Sequence, residues 1–138
     1  MITEDYASFE TTKLLQEKGF DEPCNAYWFH MIGAEPLFSD DMPRQVYNNK
    51  SDTIEIIGCP TLQMAMKWMR IEHNIHIEPH IVRTKCSYGY MPNYINLKEL
   101  KPHFPFDEFD FANADKYVCL TPDKACEITL KYCLEHLI

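Results

Sequence analysis

The chain has 138 residues, 46% of them apolar and 25% charged, with a formal net charge of −8. That length supports one ordinary hydrophobic core without metal or disulfide staples, and the composition is that of a globular chain, so disorder is not the default. The acidic balance, with thirteen scattered basic residues, argues against nucleic acid as a ligand, because a phosphate binder concentrates Lys and Arg.

The N-terminal stretch is polar and acidic, and no apolar run is long enough to cross a bilayer. We therefore expect no membrane partner and a cytoplasmic location. Cys24, Cys59, Cys86, Cys119, Cys126 and Cys133 form no C-x-x-C pair, so all six are read as reduced thiols.

Ser8 is placed to cap a helix over Phe9–Lys18, and Gly19 supplies its stop. Asp21-Glu-Pro is a turn, and Cys24–Ile32 has the aromatic content of a strand. Gly33–Ser51 reads as a long loop, and Asp52–Ile57 as a short strand ended by Gly58 and Pro60.

The clearest unit runs from Pro60 to Leu97 as a helix and two strands. Thr61 caps the helix, and Leu62, Ala65, Met66 and Met69 recur at i, i+3, i+4 and i+7, with Trp68 and Ile71 extending the buried stripe. In the first strand Ile75, Ile77 and Ile81 alternate with His76, Glu78, His80 and Val82. In the second, Met91, Ile95 and Leu97 alternate with Tyr88, Tyr90 and Tyr94. A turn at Thr84–Ser87 is expected to bring the apolar residues together and leave the His, Glu and Tyr side chains on one outer face. Pro79 and Pro92 each remove a ladder donor and imply edges or bulges.

Lys98–Lys116 follows neither period: Phe104, Phe106, Phe109 and Phe111 are interleaved with Asp107, Glu108 and Asp110. Val118–Leu120 is a candidate last strand. Thr121-Pro-Asp opens a final helix with three agreeing start signals, and Cys126, Leu130, Cys133, Leu134 and Leu137 form its stripe. The expected fold is α+β in two layers, about three helices on a small, mostly antiparallel sheet, in a single domain over residues 1–138.

Three stretches, SFETTKLLQEKGFDEPC, PTLQMAMKWMRIEHNIHIEP and the terminal KYCLEHLI, resemble small proteins of phage-like and mobile-element regions in gut-anaerobe genomes. Those proteins carry a P-T-x-x-x-A-x-x-W-[LM]-R helix, a strand and a last helix ending in Leu-Ile; Lys98–Lys116 departs from their pattern. The resemblance brings no activity and no catalytic residues. It implies a small accessory protein of a host cytoplasm, and such proteins are more often binders, inhibitors or sequestering proteins than enzymes.

His73, His76, Glu78 and His80 spell H-x-x-H-x-E-x-H, a donor set that suits zinc or iron. Same-face strand positions lie roughly 7 Å apart, so a straight trio converges poorly and no metal is assigned. Cysteine catalysis lacks a local signature, although Cys86 beside the turn is the best candidate for an exposed thiol. With four glycines, and neither a G-x-G-x-x-G nor a P-loop, phosphate cradling has no support and no cofactor is expected. A nucleotide-like small molecule could instead stack on a face of His76, Glu78, His80, Tyr88, Tyr90 and Tyr94. The remaining candidate is a protein interface or self-association through Phe104, Phe106, Asp107, Phe109, Asp110 and Phe111. The bland alternative is that these phenylalanines fill the chain's own core.

Overall fold

The computed structural model describes residues 4–40, 48–85 and 87–138. It is an α+β protein in which every strand pairing is antiparallel. The chain forms two compact units, Met1–Ala65 and Met66–Ile138.

The first unit starts with α1 (Phe9–Glu17). Ser8 has extended backbone angles, and its hydroxyl accepts from the Thr11 N–H at 3.2 Å, the predicted N-cap. The far end closes as a Schellman motif. Gly19, at φ +98°, donates to Gln16, and Phe20 donates to Leu15, so two orphan carbonyls are satisfied. Thr11, Thr12 and Leu15 form its buried side.

A four-stranded sheet accompanies α1. Its strands are β1 (Ala26–Met31), β2 (Leu37–Ser39), β3 (Asn49–Lys50) and β4 (Ile54–Cys59), in the order β2-β1-β4-β3. The stretch expected to be loop thus contains two short strands. Three and two residues are too few to show a period in sequence, and their strand geometry comes from pairing with β1 and β4. The rest of that loop expectation, residues 41–47, lies outside the described residues. Gly58 does not end β4, which continues to Cys59 opposite Ala26.

Helix α2 (Leu62–His73) begins where predicted, with the Thr61 hydroxyl accepting from Met64 N–H at 3.1 Å. Leu62, Ala65, Trp68 and Met69 are buried as the stripe requires, but Ile71 is 61% exposed and does not extend it. Asn74 ends the helix in a left-handed conformation, φ +58°, and its carbonyl accepts from Leu97.

The second unit is built on an interrupted hairpin. β5 (Ile75–Ile77) pairs with β8 (Tyr94–Asn96), and β6 (His80–Arg83) pairs with β7 (Tyr88–Met91) around the predicted Thr84–Ser87 turn. Both ladders keep one register, broken where Pro79 and Pro92 fall opposite each other and neither can donate. The Glu78 N–H to Asn93 carbonyl bond, 3.1 Å, is the backbone bond that spans the break. The buried side changes there. Ile75, Ile77 and Tyr94 are buried before the prolines, Gly89 and Met91 after them, and Ile81 is 72% exposed.

β9 (Lys101–His103) extends β8 through a turn in which the Asn96 carboxamide accepts from Lys98 and Glu99. Val118–Leu120 forms no full strand; Cys119 makes a two-bond bridge to Tyr90. Helix α3 (Pro122–His136) has Thr121 as its N-cap and packs on β5 and β7. Ala125, Cys126, Thr129, Leu130, Cys133 and Leu134 are its buried residues, and Leu137 is 45% exposed.

Gly89 lies directly against the Val118–Cys119 segment. A Cβ there would run into the Val118 side chain and the Cys119 carbonyl, both part of the Tyr90–Cys119 bridge region. Gly89→Ala is therefore expected to destabilise the protein by about 1–3 kcal/mol, the usual cost of overpacking. A thermal melt of the variant checks it, and an unchanged midpoint would show that Val118 simply moves aside.

Candidate functional site

The phenylalanine–acid segment folds on itself. It leaves β9, turns tightly at Phe104 (Phe106 N–H to Phe104 carbonyl, 2.9 Å) and enters two short 3-10 turns over Phe111–Tyr117, kinked at Asn113. Phe104 and Phe109 stack almost parallel, centroids 4.1 Å apart and planes 8° apart. Phe109 also meets Tyr117 at 4.8 Å, Phe111 edge-on at 4.6 Å and Phe106 at 6.2 Å. Phe106 lies 4.3 Å from Tyr117. Phe109 is thus the hub of a five-ring cluster, and each such ring pair contributes about 0.5–1.5 kcal/mol beyond area burial.

Polar groups fix the frame around the rings. The Tyr117 hydroxyl donates to the Glu108 carbonyl at 3.0 Å and accepts from the Asp110 N–H at 3.2 Å. The Asp110 carboxylate accepts from the Asn113 side chain at 2.8 Å and from the Ala112 N–H at 3.0 Å. Those two bonds hold its carboxyl below the usual range, so it stays charged. Asp107 accepts from the Tyr132 hydroxyl on α3 at 3.3 Å, which ties the segment to the helix.

None of the five rings is buried. Phe104, Phe106, Phe109 and Tyr117 are half-buried and Phe111 is 77% exposed. The Phe111 ring stands beside a depression of about 330 Å³ that Lys85, Asn113, Asp115 and Lys116 also line. The cluster therefore presents apolar rings with carboxylates of Asp107, Glu108, Asp110 and Asp115 close by in the chain. Tyr117 is the member that sequence reasoning missed. Its position after the acidic run gave no periodic signal, and only the chain reversal at Asp110 brings it back to Phe106.

The other candidate set does not form one face. The register places Tyr88 opposite Arg83, Tyr90 opposite Ile81 and Tyr94 opposite Ile77, whereas His76 pairs with Ile95 and His80 with Met91. Directly paired residues share a face, so the tyrosines lie on the isoleucine side and the histidines on the other. The expected common face is corrected by this one-residue difference in register.

Within that set some pairs do meet. His76 Nε2 is 3.4 Å from Glu78 Oε2, and His80 Nε2 is 3.2 Å from the Asn93 amide nitrogen, with Asn93 only 1% exposed. Tyr88 and Tyr90 touch edge-on at 6.2 Å. Tyr94 is buried, stacked on His103 at 5.2 Å, and its phenol is pushed up to about 12, by burial first and then by Cys133, Tyr132 and Glu99. It is a core residue.

Among the described residues no group of three or more His, Cys, Asp or Glu is arranged to hold a metal ion. Five described cysteines are buried and in no disulfide, and Cys86 lies outside the described residues. Among the described residues no helix is long and apolar enough to cross a membrane. No family model, no curated protein and no solved structure matches this chain.

Proposed function

We propose that this is a non-enzymatic binding protein that acts in the cytoplasm through a protein–protein interface centred on Phe104, Phe106, Phe109, Phe111 and Tyr117. The observation that carries the reading is the incomplete burial of all five rings, with Phe111 77% exposed. An apolar aromatic patch with polar surroundings is the usual anatomy of an interface core, and aromatic anchors dominate interface energetics. The neighbouring carboxylates favour a partner with basic residues around an apolar contact. An inhibitor of a host factor, encoded by a phage or mobile element, fits this surface; a self-associating protein would use the same rings.

Phe111 is the residue to change, because it is exposed and Phe109 is not. Phe111→Ser is expected to abolish partner capture while leaving the melting temperature within a few degrees of the parent. A photo-crosslinking residue at position 111 should trap the partner, and the same residue at exposed Glu17 should not. Equal trapping from both positions, or capture unaffected by Phe111→Ser, would reject this interface. A crosslinked dimer of the chain itself would assign the rings to self-association.

A further inference from the structure

The sheet of the first unit has two unlike faces. Register sets Ala26, Trp28, His30, Glu55, Ile57 and Cys59 on one side. Helix α1 covers that side. Phe9 packs against Trp28 and His30, the Lys13 ammonium is 3.4 Å from Glu55, and the Thr12 hydroxyl is 3.6 Å from the Cys59 sulfur. Ala26, Ile57 and Cys59 are accordingly 0%, 1% and 1% exposed.

The opposite side carries Tyr27, Phe29, Met31, Leu37, Ile54 and Ile56 in register across three strands. Not one of these six is buried, and Met31 and Leu37 are 47% and 64% exposed. Ser39, Asn49 and Gly58 complete this face, so none of its strand positions is charged. Lys50, on the edge strand, pairs with Glu55 on the α1 side instead. A solvated antiparallel sheet face ordinarily alternates into polar and charged residues, whereas here the polar strand positions are Ser39 and Asn49 on the two edge strands.

We propose that this open face docks an amphipathic helix of a partner protein, with lysines or arginines beside its apolar stripe. Size supports that occupant. With strands about 4.8 Å apart and same-face residues about 6.7 Å apart, nine positions cover roughly 300 Å². A four-turn helix, about 22 Å long and 10 Å wide, covers a similar patch. A stable dimer needs about 800 Å² from each partner, well beyond this footprint.

Charge points the same way. Two copies would each bring a net charge of −8 to the contact. The loops at the Met31–Ile54 end, residues 32–36 and 51–53, hold exposed Glu35 and Asp52 and no basic residue. A helix with cationic flanks finds counter-charges there. Such docking would add a third layer, helix on sheet, to a two-layer unit.

The test is a titration of the ¹⁵N-labelled full chain with a four-turn leucine–lysine peptide whose leucines recur at helical spacing. Controls are a shuffled peptide of the same composition and a leucine–glutamate analogue. Saturable shifts of the Tyr27, Phe29, Ile54 and Ile56 amides are expected with the first peptide alone. Leu37→Glu should weaken that binding at least about tenfold, since a carboxylate would enter an apolar contact, and the milder Leu37→Gln covers the case of a poorly folded variant. Phe111→Ser should leave it unchanged, which separates this site from the aromatic cluster. Shifts elsewhere, equal binding of either control, or no binding would overturn the proposal. So would a dimer in sedimentation that Leu37→Glu dissociates.

Discussion

Leu130→Ala is expected to destabilise the protein by about 2–5 kcal/mol, the range for truncating a fully buried leucine. Leu130 is 0% exposed in the middle of α3, between buried Cys126 and Cys133, on the helix that packs against β5 and β7. The loss has two parts. Removed methyl groups forfeit their transfer free energy, and the cavity left behind collapses only partly because Cys126, Cys133 and Leu134 on the same helix face are also buried. Leu137→Ala is the internal control: at 45% exposure it should cost well under about 1 kcal/mol. Urea unfolding followed through Trp68, in a Trp28→Phe background, reads both variants. A Leu130→Ala loss no larger than that of Leu137→Ala would mean that the α3 stripe is not the core of its unit.

Local chemistry in this chain was legible from sequence, and long-range pairing was not. Ser8, Thr61 and Thr121 cap their helices through their own hydroxyls, and Gly19 accepts a positive φ; none of these depends on distant residues. Most of the α3 stripe and of the α2 stripe follows from helical period alone, with Leu137 and Ile71 left exposed. The Thr84–Ser87 turn was also foreseeable, but the partner of each strand residue was not. A shift of one position moved Tyr94 from a supposed ligand face into the core beside Ile77.

The proline pair had a partly readable consequence. A missing donor at Pro79 and at Pro92 could be foreseen from either residue alone. That they fall opposite one another, and that the buried side changes there, required the register. Phe104, Phe106, Phe109 and Phe111 fit no period because they pack on one another and on Tyr117, not along one sheet or helix face. The unlike faces of the first sheet were hidden for a related reason. In Ala26–Met31 every position but His30 is apolar or aromatic, so alternation carries no signal until α1 is seen on one side.

Alkaline pH is expected to unfold this protein well before ordinary base denaturation. Burial pushes the Cys133 thiol from 9.0 up to about 12, and Tyr94 beside it from 10.0 to about 12. In the first unit Cys24 rises from 9.0 to about 11, through burial first and then Cys59 and Glu22. Each group is neutral in the native state and ionises more easily once exposed. Above about pH 9 the unfolded chain therefore binds fewer protons than the native one, and stability falls as pH rises. The contribution is complete below pH 9 and is lost progressively towards pH 12. One unit of displacement corresponds to about 1.4 kcal/mol, a sizeable share of a typical stability of about 5–15 kcal/mol. Urea midpoints at successive pH values should stay level to about pH 8.5 and then drop, with Trp68 reporting the second unit and Trp28 the first. Cys133→Ala should start lower at neutral pH because of its small cavity, yet lose less between pH 9 and 10, because its thiol no longer titrates there. A midpoint that holds level to pH 11 in the parent protein would show that these thiols and this phenol are hydrated in the native state.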